Sequence, residues 1–139
     1  MSLRNVIGAD AITAATKADD PFAWAPALRE RRRQMGAPTI TGIVHTLNEE
    51  HNLPDALRSL GWVDEVLVID MHSDDGTQAI AERMGARVLL HDRVGYVEPA
   101  RNFAIDAAEG DWTLILDADE RIVPALAEIE ERLPPETAP

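Results

Sequence analysis

The chain contains no cysteine. That excludes a disulfide framework and a thiolate metal site, and it makes the cytosol the simplest compartment. No apolar run approaches the roughly 20 residues that a membrane-spanning helix needs. Met1 to Lys17 alternates small and polar residues without the apolar middle of a signal peptide, so a soluble protein is expected. Basic residues are scarce: 13 Lys and Arg face 25 Asp and Glu, a formal net charge of -12. A phosphate backbone would be repelled by that balance. The charge argues against general nucleic-acid binding but not against one nucleotide bridged by a metal ion. No glycine fingerprint of the form GxGxxG follows the first strand pattern, which argues against pyrophosphate held on a first helix. The four histidines stand apart, and neither His45 nor His72 has the spacing of a metal pair. No Ser, His and Asp set is visible as a triad, and no internal repeat is found.

What is present is an apolar run, Trp112-Thr113-Leu114-Ile115-Leu116, that stops on Asp117-Ala118-Asp119-Glu120. It reads as a buried strand delivering acids to its carboxyl end, where open α/β sheets bind ligands. Paired carboxylates are poor core material, because uncompensated buried charge is costly. They suit a hard divalent cation, which takes oxygen ligands and shares them with substrate phosphates. The alternative is a solvated turn, with Asp119 as the N-cap of a helix from about Val123.

At 139 residues the length fits one domain. Residues 1–38 read as an N-terminal extension, partly helical, with Pro26 opening a short helix through Arg33 that Gly36 and Pro38 stop. Arg29, Arg31, Arg32 and Arg33 are its dense basic cluster. A solvated helix face is the default reading, and contact with an anionic membrane surface or a partner stays open. From Thr39 the pattern is regular. Ile40 to Thr46 is a strand, and Leu53, Ala56, Leu57 and Leu60 mark a helix ended by Gly61. Val66 to Ile69 is a strand covered on both faces. Thr77 to Met84 is a helix closed by Gly85, and Arg87 to Leu90 is a third strand. Ala100, Phe103, Ala104 and Ala107 form the apolar stripe of a further helix before the fourth strand. Short connections force parallel, right-handed crossovers, giving an α/β fold with a mostly parallel nucleotide-binding sheet and helices on both faces. Residues 39–133 form this domain, and 134–139 are a tail.

A parallel sheet gathers the polar clusters on one edge: Thr46, Asn48, Glu49 and Glu50, then Asp70 with Ser73 to Thr77, then Asp117 and Asp119. Asp70 lies where an acid accepts hydrogen bonds from a ribose or base edge in related architectures. Asp75 reads as a helix N-cap, Asn48 and Glu49 serve equally as plain loop residues, and Arg101 is by default a surface arginine.

These residues, taken together, resemble a family. Thr46-Leu47-Asn48-Glu49-Glu50, Val68-Ile69-Asp70 with Ser73 and Asp75-Gly76-Thr77, Ala100-Arg101-Asn102-Phe103-Ala104, and Gly110-Asp111-Trp112 leading to Asp117-Ala118-Asp119-Glu120 look like the family-2 inverting glycosyltransferases. The likeness is greatest to the branch with the lipopolysaccharide-core β-glucosyltransferases, and it covers roughly residues 39 to 133. It implies a GT-A fold, a nucleotide-sugar donor such as a UDP-sugar, a saccharide or lipid-linked acceptor, and Mn²⁺ or Mg²⁺ held through a DxD-type motif. By the same resemblance, Thr46, Asn48 and Glu49 line the nucleoside pocket, Asp70 contacts base or ribose, and Arg101 lies near base or diphosphate. Asp117 faces the ribose or metal, and Asp119 is the main metal ligand. The second loop departs from the family in carrying Met71 and His72 where small residues are common. The family places the general base and acceptor pocket well past the DxD motif, and the chain ends 20 residues after Asp119. The resemblance therefore implies a donor-binding half, incomplete at the C-terminus, with no catalytic base assigned. A cytoplasmic site, or the inner face of the membrane, suits such chemistry.

Two rivals from other classes are set beside it. A non-catalytic nucleotide-binding or interaction module would keep the fold and lose transfer. A phosphate-accepting signalling domain on Asp70 fits the alternating architecture. It is weakened because the first strand ends in Thr46-Leu47-Asn48-Glu49 rather than an acidic pair, and no lysine follows the fourth strand.

Overall fold

The computed structural model describes residues 20–93 and 98–123, without the side chains of 98–100. Its elements run α1 (Trp24–Met35), β1 (Ile40–Thr46), α2 (Leu53–Ser59), β2 (Glu65–Asp70), α3 (Thr77–Arg83), β3 (Arg87–Leu90), α4 (Glu98–Ala107) and β4 (Trp112–Asp117). The expected alternation is present, and β1 and β3 have the expected limits. The helix expected from about Val123, residues 1–19 and the tail 134–139 lie outside the described residues.

The strands make one parallel sheet in the order β3-β2-β1-β4. All four carboxyl ends therefore share one edge. The chain steps outward from β1 to β2 to β3, then crosses back to set β4 on the other side of β1. The order reverses between β1 and β4, the kind of switch point where open α/β sheets leave a crevice for ligands.

Both faces of the sheet are covered, which explains the uninterrupted apolar runs of its central strands. Val44, Val68 and Leu116 join a larger core with α2 and with Trp62. Ile43, Leu67 and Ile69 meet Ala104 of α4 on the opposite face. Ala107 packs there too, as expected, but Phe103 does not: it is 38% exposed, with its ring 5.3 Å from that of His91. At 3.6 residues per turn Phe103 sits about 100° round the helix from the fully buried Ala104, and so projects sideways.

Helix α1 runs past the expected limits at both ends and stops at Gly36, whose φ of 65° is the left-handed geometry that favours glycine. Trp24, Ala25 and Leu28 are buried in the same cluster as α2. The arginines of α1 do not share one solvated face, contrary to expectation. Arg32 follows Leu28 by four residues and so falls on the buried stripe. It is 3% exposed, its Nη2 donates to the Pro38 carbonyl at 2.6 Å, and its guanidinium lies 5.6 Å from the centre of the Trp62 ring. Arg29 donates to the Asp64 carbonyl at 3.3 Å, and Arg33 pairs with Glu30 at 2.6 Å. Among the described residues no helix is long and apolar enough to cross a membrane.

Candidate functional site

The carboxyl edge carries two contrasting halves. On the β1/β2 side the polar groups satisfy one another. Asp70 ends β2 fully buried, opposite Thr46 in the β1–β2 register. Its Oδ1 accepts from the Thr46 and Ser73 hydroxyls, both at 2.6 Å, and its Oδ2 accepts from the Ser73 N–H and Gln78 Nε2, both at 2.8 Å. Burial pushes this carboxyl up, but the bonds from Ser73, Thr46 and Gln78 outweigh it and hold the group below the usual carboxylate range. A carboxylate offers about four lone-pair sites. Direct contact with a base or ribose would therefore displace one of these donors.

The loops after β1 and β2 are stitched together. The Asn48 N–H donates to Ser73 Oγ at 2.8 Å, and Asn48 Oδ1 accepts from the Asp74 N–H at 2.7 Å. The Glu49 N–H donates to Thr77 Oγ1 at 2.9 Å, and the Gly76 N–H donates to Glu50 Oε2 at 2.9 Å. Asn48 adopts φ 56°, a left-handed geometry that asparagine tolerates. Asp75 is not the N-cap, contrary to expectation: Gly76 occupies that position, and Asp75, one residue earlier, accepts the Thr77 N–H on its Oδ1 at 2.9 Å. These bonds bring Thr46, Asn48, Glu49 and Asp70 into one connected rim. Gln78 and Arg93 belong to it as well, and sequence reasoning missed both. Gln78 lies eight residues beyond Asp70, with no local pattern to link them.

On the β4 side Asp117 and Asp119 lack such partners among the described residues. Asp117 lies opposite His45 in the β1–β4 register, beside the switch point. A tight turn follows: the Glu120 N–H donates to the Asp117 carbonyl at 2.9 Å, and the Asp117 N–H donates to Glu120 Oε1 at 2.8 Å. Ala118 and Ile122 drop into the core, and the Ile122 N–H donates to Ser59 Oγ at 3.0 Å. That anchoring leaves Asp117 and Asp119 exposed on either side of buried Ala118. Neither carboxylate takes a hydrogen bond or an ion pair among the described residues. Arg121, the nearest cation in sequence, is occupied with the Ala118 and Glu120 carbonyls at 3.1 and 2.8 Å.

Arg101 lies in the first turns of α4, half-buried, without a polar contact to these residues among those described, and its Nε is buried with no hydrogen-bond partner. No group of three or more His, Asp or Glu among the described residues is arranged to hold a metal ion. The two exposed carboxylates, Asp117 and Asp119, would therefore supply only part of a hard cation's oxygen shell, with the remaining positions left to water or phosphate oxygens.

The sequence profile of glycosyl transferase family 2 matches residues 41–132. The chain belongs to this family. It is 47% identical over 77 residues to a TPR repeat-containing protein of Synechococcus elongatus, spanning 55% of the chain but 19% of that protein. An uncharacterized glycosyltransferase of Rickettsia felis is 40% identical over 84 residues, 60% of this chain and 29% of the relative. The chain therefore spans less than a third of the length of either relative. Among solved structures, glucosyl-3-phosphoglycerate synthase of Mycobacterium tuberculosis in complex with Mn²⁺ and UDP-glucose superposes with a TM-score of 0.55. It is 26% identical, and the match covers 66% of this chain and 37% of the synthase. The same enzyme has been solved with Mn²⁺, UDP-glucose and phosphoglyceric acid. The parallel sheet with its flanking helices is thus that of a GT-A-like glycosyltransferase domain. The branch nearest the lipopolysaccharide-core enzymes is not singled out by these relatives.

Proposed function

We infer that this glycosyltransferase domain binds a nucleoside diphosphate sugar, in the first instance a UDP-sugar, together with one Mn²⁺ or Mg²⁺, for inverting transfer to an acceptor hydroxyl. The observation that carries the reading is the exposed pair Asp117 and Asp119, unpaired among the described residues, beside the β1/β4 switch point. The Mn²⁺ and UDP-glucose bound by the mycobacterial synthase support it.

Thr46, Asn48 and Glu49 would line the nucleoside side of the crevice, with Asp70 holding their loop from behind and Arg101 at the head of α4. Asp117 would face the ribose or the cation, and Asp119 would be the main ligand. A bound cation supplies charge neutralisation for the departing diphosphate. The chain's residues orient the donor so that the anomeric carbon faces the acceptor. The bond from the acceptor oxygen to that carbon forms as the bond to the diphosphate oxygen breaks. No described residue is assigned as the base that takes the hydroxyl proton. The acceptor class is a saccharide or a lipid-linked saccharide of the cell envelope.

Calorimetric titration with UDP-glucose, in Mn²⁺ and in chelator, tests the reading. Binding is expected only with the cation, and Asp119→Ala should remove it while leaving the thermal midpoint unchanged or slightly raised, because one repelling charge is lost. Equal binding in chelator, or full binding by Asp119→Ala, would show that the acid pair is not the cation site.

A further inference from the structure

Arg93 does something that the assigned site residues do not. It follows β3, yet its guanidinium reaches across to the loop after β2. Nε donates to the Met71 carbonyl at 3.1 Å, and Nη2 donates to the His72 carbonyl and to Asp74 Oδ2, both at 2.9 Å. Between those anchors His72 has φ 58°. A non-glycine residue is uncommon in that region, although histidine enters it more often than most, and the geometry carries a cost that contacts such as these offset. His72 itself is exposed, so no packing of its ring explains the geometry. An exposed ion pair with Asp74 alone would contribute little. The two successive carbonyls are different, because a planar guanidinium fork fixes their direction as well as their distance.

The loop so fixed is the one that meets Asn48. The Ser73 hydroxyl takes the Asn48 N–H, the Asp74 N–H donates to Asn48 Oδ1, and the Ser73 N–H donates to Asp70. We propose that Arg93 is a positioning residue: by holding His72 left-handed it sets Ser73 and Asp74 where they frame the nucleoside side of the donor crevice. The proposal rests on the donor-binding reading for its functional consequence, and on the loop geometry alone for its structural one.

Both are measured on the full chain. Amide hydrogen exchange without ligand should show Arg93→Ala losing protection at Ser73 and Asp74, with β1 and β2 amides unchanged. Titration with UDP in Mn²⁺ should show affinity lowered roughly tenfold, the factor carried by one net charge-assisted hydrogen bond. Glycine adopts positive φ at no steric cost. The double variant Arg93→Ala with His72→Gly should therefore recover most of the protection and affinity, whereas a residue serving only general stability would not be rescued by that change. Unaltered exchange at Ser73 and Asp74 in Arg93→Ala overturns the clamp, and failure of His72→Gly to rescue overturns its link to the left-handed residue. If the wild-type chain binds no UDP, the consequence for donor binding is overturned with the site reading, while the exchange comparison still decides the clamp.

Discussion

Replacing Asp70 by Asn removes one charge from the centre of the rim and almost nothing else. The side chain is fully buried, and its two oxygens take bonds from Thr46, Ser73 and Gln78. Asparagine keeps one acceptor oxygen and turns the other into a donor. The Thr46 and Ser73 hydroxyls can rotate and the Gln78 amide can flip, but the Ser73 backbone N–H is fixed. The one oxygen left on the new amide can serve that N–H only by leaving the hydroxyls to pair elsewhere. Bonds to a charged acceptor contribute about 1.5–3 kcal/mol against about 0.5–1.5 for neutral ones, and they are not additive. A loss of about 2–3 kcal/mol at pH 7 follows for Asp70→Asn.

The pH dependence makes this assignment specific. The folded Asp70 carboxyl sits below its ordinary range, whereas in the unfolded chain it titrates near about 3.9. Its stabilisation is therefore complete above the unfolded value and is lost as the pH falls through the folded one. Asp20, Glu30 and Asp75 are also held low, so the acid profile of one protein assigns nothing. The difference between wild type and Asp70→Asn cancels them. Urea midpoints followed by tryptophan fluorescence should give a difference that is constant from about pH 7 to 5 and shrinks below about 4. A difference that stays flat down to about pH 3, or grows, would refute the charged-acceptor argument.

Gly110→Ala should lower stability by about 1–3 kcal/mol in the same denaturation assay, the usual cost of forced overpacking. An added Cβ would lie 2.7 Å from the Thr41 backbone nitrogen and 2.8 Å from its Oγ1, at the start of the β1–β4 pairing; an unchanged midpoint would show that the junction gives way freely. Trp24→Ala should cost about 3–5 kcal/mol, as for other buried aromatics, and unfold the chain in one transition if α1 belongs to the sheet's own core. A small loss confined to helix signal would instead mark α1 as a detachable extension.

The fold was legible because its signals are local. β1 and β3 were bounded by sequence alone, since short apolar runs flanked by glycine or polar loops leave little choice. The edge that gathers Thr46, Asn48, Asp70 and Asp117 followed from parallel topology. The misreadings share one cause, which is that periodicity gives a stripe but not its exact bearing. Arg32 falls on the buried stripe of its helix and Phe103 at the margin of its own, and tertiary packing turned the arginine inward and the phenylalanine outward. The partners of Asp70 were legible in part, because Thr46 and Ser73 stand in the motifs, whereas Gln78 and Arg93 reach the rim from a helix and from a distant loop.

The contrast between the two halves of the edge bears on how a donor would be held. Around Asp70 each polar group answers another, so the β1/β2 loops keep their shape without a ligand and little ordering entropy is left to be lost on binding. Asp117 and Asp119 have no such partners among the described residues. Neighbouring like charges repel by about 1 kcal/mol in water and by several times that where solvent is excluded. A diphosphate brought to this pair, in a chain of net charge -12, meets the same repulsion several times over. A divalent cation placed between them adds an attraction to each of these charges that outweighs their mutual repulsion. On the donor-binding reading, shape recognition and charge recognition would be divided between the two sides of the switch point, the first built into the fold itself and the second supplied only when cation and diphosphate arrive together.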